Sequence, residues 1–168
     1  INCAAFTNVD LAERQRTLAY QINTIGARQV AALAQRLGAV HVYIGTDYVF
    51  DGSGNRPYRE TDLPQPQSWY GQTKYWGELQ ARAGCDRTYV VRSAGLYGLG
   101  GASGKGGHSI IEFILKRGRA GQALQLVSDQ LSCPTYVPHL AAGLIALVQR
   151  QPAFGIYHMV NGPGCNWY

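Results

Sequence analysis

A chain of 168 residues with 46% apolar content holds enough core material for one domain. A formal net charge of +5 is spread along the sequence without a basic stripe, which argues against a nucleic-acid binder. No apolar run approaches the roughly 20 residues that a membrane span needs, and no signal peptide is visible, so a cytoplasmic protein with no membrane partner is expected.

The four cysteines (Cys3, Cys85, Cys133, Cys165) and four histidines (His41, His108, His139, His158) show neither CxxC nor Cys/His metal spacing. Reduced thiols and no metal site are therefore expected. Lys116-Arg117-Gly118-Arg119 is the one dense basic cluster. It reads either as a solvated helix end or as an anchor for an anionic, diphosphate-bearing substrate.

In chain order, Ile1-Asn2 reads as the tail of a strand. Asn2-Cys3-Ala4-Ala5 then supplies small side chains where a backbone could approach a ligand closely, or where a strand simply turns into a helix. Leu18, Ile22, Ile25, Ala27, Val30, Leu33 and Leu37 have helical spacing, and Gly38 is a reasonable cap, so one helix is predicted over 18–37. Asn23 sits inside it, where Asn is a modest helix former; it distorts the helix for a purpose or lies on its surface. Val40 to Gly45 predicts a buried parallel strand that stops at Gly45-Thr46-Asp47.

A polar loop punctuated by Pro and Gly leads to a helix from about Ser68 to Ala83, which carries Tyr70 and Lys74. Thr88 to Arg92 predicts another strand, entering Ser93-Ala94-Gly95-Leu96-Tyr97-Gly98. The run GLGGASGKGG from Gly98 to Gly107 invites a phosphate-loop reading and fails it. Leu99 stands where the first Gly is needed, and Gly106 follows Lys105 in place of Ser or Thr. A mobile loop over the substrate is the better expectation. Beyond it, the pattern predicts a helix over Ser109–Arg119, a strand over Leu124–Val127, a helix over Leu140–Arg150 and a late strand over Gly155–Val160. Strands alternating with helices argue for a doubly wound, mostly parallel α/β sheet with ligands at the strand carboxyl ends. Thr46, Ala4-Ala5 and Ala94-Gly95 all fall at such ends.

A hydroxyl at a strand end, followed by Tyr and Lys one helical turn apart, is an acid/base apparatus for a carbonyl. The phenol needs help to exchange a proton near neutral pH, and a Lys on the same helix face can stabilise the phenolate. Thr46 can hold the substrate oxygen without adding a charge. Y-x-x-x-K alone is a weak signal, and its setting gives it weight.

That setting resembles a family. Asn2-Cys3-Ala4-Ala5-Phe6-Thr7-Asn8-Val9-Asp10, Thr46-Asp47-Tyr48-Val49-Phe50-Asp51-Gly52, and Pro57-Tyr58-x-Glu60-x-Asp62-x-Pro64-x-Pro66 match in order. So do Tyr70-Gly71-x-x-Lys74-x-x-Gly77-Glu78, Ser128-Asp129-Gln130-x-x-x-Pro134-Thr135 and Gly155-Ile156-Tyr157-His158. Together they resemble the extended short-chain dehydrogenases/reductases, and among them the dTDP-4-dehydrorhamnose reductase family. The resemblance implies a Rossmann-like core with part of a small substrate lobe. It implies residues 1–98 as the distal half of the dinucleotide-binding core, and 99–168 as substrate-lobe elements interleaved with late core strands.

The resemblance also implies NADP or NAD as coenzyme, a nucleotide-linked keto-deoxysugar as substrate, and reduction of its 4-keto group. Tyr70 would donate the proton, Lys74 would lower the Tyr70 pKa and hold the nicotinamide ribose, and Thr46 would position the carbonyl oxygen. Asn23 would order a proton relay behind Lys74. Ala4, Ala5 and Phe6 would neighbour the coenzyme, while Thr46, Asp47 and Gly95 would lie against the sugar. A non-catalytic subunit of the same fold, binding a nucleotide sugar or NAD(P), is the alternative.

Two departures from the pattern carry expectations. No G-x-x-G-x-x-G stands near the start, so a sheet truncated at both ends and weak dinucleotide binding by this chain alone are expected. A truncated parallel sheet also exposes an edge, which makes a homodimer plausible. Gly95 stands where the family resemblance leads one to expect Trp, which removes one wall of the sugar pocket.

Overall fold

The structure, a computed structural model, describes residues 1–54, 56–98 and 109–166 of the chain. It begins with α1 (Val9–Arg14), α2 (Arg16–Tyr20), a π-helical turn (Gln21–Ile25), α3 (Gly26–Arg36) and β1 (His41–Thr46). A 3-10 turn (Asp47–Val49), α4 (Trp69–Gly84), β2 (Thr88–Ser93) and β3 (Leu96–Tyr97) follow. The remainder comprises α5 (Ile110–Arg119), β4 (Thr135–Tyr136), α6 (Val137–Arg150) and β5 (Gly155–His158).

β2 is buried at every position because it is the middle strand, with β1 and β5 parallel on either side. That position explains why its sequence runs Tyr-Val-Val without polar alternation. Beyond β1, Asn2 adds one more parallel bridge, to Tyr43, through Asn2 N donating to Val42 O at 2.8 Å. The predicted strand tail is there.

Successive strand side chains point to opposite faces, and each face has its own cover. Val42, Tyr89 and Val91 pack under Leu140, Leu144 and Leu147 of α6. Tyr43 and Val90 pack with Ala27 of α3 and Ala81 of α4. The predicted doubly wound sheet is borne out. α4 starts where Ser68 accepts a hydrogen bond from Gly71 N at 3.1 Å, an N-cap that fixes the first turn. It then lies so close to the sheet that a Cβ at Gly77 would collide with the Asn23 carbonyl and the Tyr43 hydroxyl. Gly77→Ala is expected to cost about 1–3 kcal/mol, read as a lowered thermal midpoint.

The structure corrects two predicted elements. The helix expected over 18–37 is not regular: it widens into the π-helical turn at Gln21–Ile25, which brings Asn23 and Thr24 into the interior. Thr24 Oγ1 donates to Thr73 O at 2.9 Å, and Asn23 bonds across to Phe6 and Thr73. These polar contacts offset the irregular turn. Leu124–Val127 is not a strand, because it finds no ladder partner among the described residues. Extended pairing comes later instead, with Ser132 bridging Cys165 and β4 pairing parallel with β3. The glycine-rich stretch lies outside the described residues from position 99 onward. No helix among the described residues is long and apolar enough to cross a membrane, and no group there could hold a metal ion.

Candidate active site

Thr46 ends β1 with its side chain buried. Its hydroxyl accepts from Tyr48 N at 3.3 Å and donates to Asp47 Oδ1 at 3.2 Å, which holds the turn that follows. Tyr70 is the second residue of α4, and its ring meets that of Tyr48 edge-on at 5.5 Å. Sequence reading placed Thr46, Asp47 and Tyr70 in one site, and the structure brings them together. Burial pushes the Tyr70 phenol up to about 12, opposed by a hydrogen bond with the Thr46 hydroxyl and reinforced by Asp47 and Tyr48. The group is therefore a neutral phenol near pH 7.

Lys74 lies one turn further along α4 and is 4% exposed. Its Nζ donates to Ile44 O at 2.6 Å and sits 4.3 Å from the centre of the Tyr43 ring. Burial brings its pKa down to about 8, with Glu78 pulling the other way. The expected lowering of the Tyr70 phenol by Lys74 is not what this geometry gives. Desolvation of the phenol dominates, and the ammonium is directed to the Ile44 carbonyl.

Asn23 is buried rather than on the surface. Its Oδ1 accepts from Phe6 N at 2.8 Å, and its Nδ2 donates to Phe6 O at 3.2 Å and to Thr73 Oγ1 at 3.0 Å. Its carbonyl accepts from the Tyr43 hydroxyl at 3.4 Å, and that hydroxyl also reaches Lys74 O at 3.2 Å. Asn23 thus ties the segment at Phe6 to the helix that carries Tyr70 and Lys74. Asn23→Ala strands the buried partners and is expected to cost about 2–3 kcal/mol, measured by denaturant titration.

The Ala4-Ala5-Phe6 strip passes the same strand ends. Ala4 N donates to Asn2 Oδ1 at 3.1 Å, leaving Ala4 exposed and Ala5 and Phe6 half-buried. Cys3 lies near enough to Lys74 to act on its charge. An ammonium whose hydrogen-bond partner among the described residues is one carbonyl keeps two N–H donors, which suits a ribose diol beside a strip of small side chains.

On the other flank, sequence reading recorded the Ser128-Asp129-Gln130 run without assigning it a role. Gln130 lies close enough to the Tyr48 phenol, and Ser132 to the Asp47 carboxylate, to favour the charged form of each. Burial nevertheless raises the Asp47 pKa. Gly95 adopts φ +50°, and a Cβ there would sit 3.2 Å from Pro134 Cα and 3.6 Å from Ser132 Oγ. The space beside Gly95 is filled by the 132–134 segment, and Thr135 N donates to Gly95 O at 3.1 Å. The basic cluster at Lys116, Arg117 and Arg119 falls at the end of α5, where cations oppose the negative helix end.

A family model described as RmlD substrate binding domain matches residues 1–168. The spore coat polysaccharide biosynthesis protein SpsK of Bacillus subtilis is 42% identical over 168 residues, covering 100% of this chain and 56% of that protein. The dTDP-4-dehydrorhamnose reductase of Streptomyces griseus is 39% identical over 173 residues, covering 99% of this chain and 55% of its own. The crystal structure of dTDP-4-dehydrorhamnose reductase from Bacillus anthracis in complex with NADP superposes with a TM-score of 0.91 at 39% identity. That match covers 98% of this chain and 56% of the other. The chain spans a little over half the length of the curated relatives it matches.

Proposed function

The chain belongs to the RmlD substrate binding domain family, and from that premise we propose that it forms the catalytic part of a reductase acting on the 4-keto group of a nucleotide-linked deoxysugar. The observation that carries the reading is the convergence of Thr46, Tyr70 and Lys74 at the carboxyl end of β1, beside the Ala4–Phe6 strip. A bound NADPH or NADH supplies the hydride. Tyr70, neutral and desolvated, donates a proton to the sugar oxygen as that oxygen gains charge. The amino-terminal turn of α4 favours the phenolate left behind. Thr46 aligns the carbonyl oxygen, while Asp47, steadied by Ser132, accepts from a sugar hydroxyl.

Lys74, Tyr70, Ala4, Ala5 and Phe6 are the residues that would hold the coenzyme. Relatives named as dTDP-sugar reductases, from Streptomyces griseus and Salmonella typhimurium among others, favour this reading over a non-catalytic subunit. Residues 1–98 supply the catalytic half, and 99–168 mix sugar-side elements with α6 and β5. A cytoplasmic setting and a homodimer complete the proposal.

The test is oxidation of NADPH in the presence of a dTDP-4-keto-6-deoxyhexose. It should be run on this chain and on a form extended by the flanking coding sequence. Sugar-dependent oxidation is expected in the extended form; its absence there, with the sugar bound, would sink the proposal.

A further inference from the structure

Tyr70, Lys74 and Glu78 stand four residues apart on one face of α4, and the mechanism above leaves the third unused. Glu78 is 1% exposed, and its carboxylate receives three hydrogen bonds from Arg92 of β2. Arg92 Nε lies 3.2 and 3.1 Å from Oε1 and Oε2, and Nη2 lies 2.8 Å from Oε2. The side chains of the pair are 3% and 2% exposed. The backbone of β1 is cut away to admit it: a Cβ at Gly45 would lie 2.7 Å from Glu78 Oε1 and 3.1 Å from Arg92 Cγ. Gly45 is flanked by Ile44, whose carbonyl holds Lys74, and by Thr46. The ion pair therefore sits under the one stretch of strand that both catalytic partners of Tyr70 depend on.

An ion pair so placed is poor evidence for stability, because desolvating two charges offsets most of their attraction. Its position suggests another role. We propose that Glu78, held by Arg92, is a positioning residue for Lys74: it sets a fixed negative charge one helical turn beneath the ammonium and keeps Lys74 cationic in a site that otherwise desolvates it.

The surrounding charges are consistent with that role. Around Lys74, Glu78 supports the charged form against burial, as does Cys3, and the Tyr43 ring and the Ile44 carbonyl supply its remaining contacts. Burial raises the Glu78 pKa, and Arg92 from β2, through its hydrogen bonds and its charge, with Lys74 and Arg82 from its own helix, opposes that rise in favour of the ionised form. Tyr43, facing it from β1, has its phenol pushed up by burial and by the Glu78 charge, so it stays neutral. His158 of β5 is paired in register with Arg92; burial lowers its pKa, and it adds no charge near pH 7. Among these groups, Glu78 is the carboxylate working on Lys74, ahead of the smaller effect of Cys3.

The inference depends on the reductase reading for its catalytic consequence alone, so its test does not use turnover. The chain has three lysines, Lys74, Lys105 and Lys116, which makes its lysine side chains readily resolved after carbon-13 labelling. The Lys74 ε-carbon resonance should titrate near pH 8 in the unaltered chain. In the double variant Glu78→Gln/Arg92→Gln, which removes both buried charges together, the midpoint should fall by about one pH unit. Glu78→Asp keeps both charges but withdraws the carboxylate, and should shift the midpoint in the same direction by less. It decides the question if the double variant does not fold. A midpoint that is unmoved or raised in the folded variants overturns the proposal. If the midpoint falls while the extended protein turns over no keto-sugar, the reductase reading fails and the role of Glu78 stands.

Discussion

Tyr70→Phe is expected to lower sugar-dependent NADPH oxidation by about 10²–10⁴-fold while leaving coenzyme affinity within a few-fold. The substitution removes one oxygen from a ring that keeps its edge-on contact with Tyr48 at 5.5 Å, so packing at the start of α4 is preserved. What is lost is the neutral, desolvated phenol next to Thr46, the group placed to protonate the sugar oxygen. Steady-state kinetics on the extended protein check this: kcat should collapse and KM should move little. A KM effect with kcat intact would assign Tyr70 to binding.

Arg92→Ala should have the largest effect on stability. Removing the guanidinium leaves the Glu78 carboxylate buried without a partner, at a cost of about 3–5 kcal/mol. In a domain of this size the thermal midpoint should fall by about 10 °C, and calorimetry reads it directly. The direction follows from burial: the side chains of the pair are 3% and 2% exposed, so solvent cannot take over the contacts that Arg92 gives up. The guanidinium also lies 5.1 Å from the centre of the Phe50 ring, which stacks on Tyr58 at 4.3 Å, so the loop before α4 should loosen as well. A midpoint within about 2 °C of the unaltered chain would mean the pair is solvated in solution.

Much of the fold was legible because local patterns and the tertiary arrangement agree. β1 and β2 read as short apolar runs since both faces of the sheet are covered, and α6 reads as a helix through Leu140, Leu144 and Leu147. The start of α4 was marked by Ser68. What stayed hidden depends on partners distant in sequence. The π-helical turn around Asn23 is stabilised by Phe6 and Thr73, 17 and 50 residues away, and no local spacing encodes it. The strand expected at Leu124–Val127 alternates apolar and polar residues and has no neighbour to pair with among the described residues, and alternation alone does not supply a ladder.

The candidate site shows the same division. Thr46, Asp47, Tyr70 and Lys74 were nameable from residue type and order along the chain. The clasp of Gln130 and Ser132 on Tyr48 and Asp47 was not, because it joins segments more than 80 residues apart. Glu78 and Arg92 were hidden for a related reason. A Glu and an Arg in separate elements are read as surface residues until the fold places them together without water. Gly95 was visible as a departure, but its meaning required Pro134 to be seen against it.

The central claim is that this arrangement delivers hydride to a sugar carbonyl with Tyr70 as the proton donor. The most direct measurement is to supply reduced coenzyme deuterated at the transferable position of its nicotinamide, together with the keto-sugar nucleotide and the extended protein, and to locate the label in the product by NMR. Deuterium at C4 of the sugar, accumulating at least about 10²-fold more slowly in the Tyr70→Phe reaction, is the expected result. Deuterium at another carbon, or label transfer at an undiminished rate without the phenol, would contradict the claim.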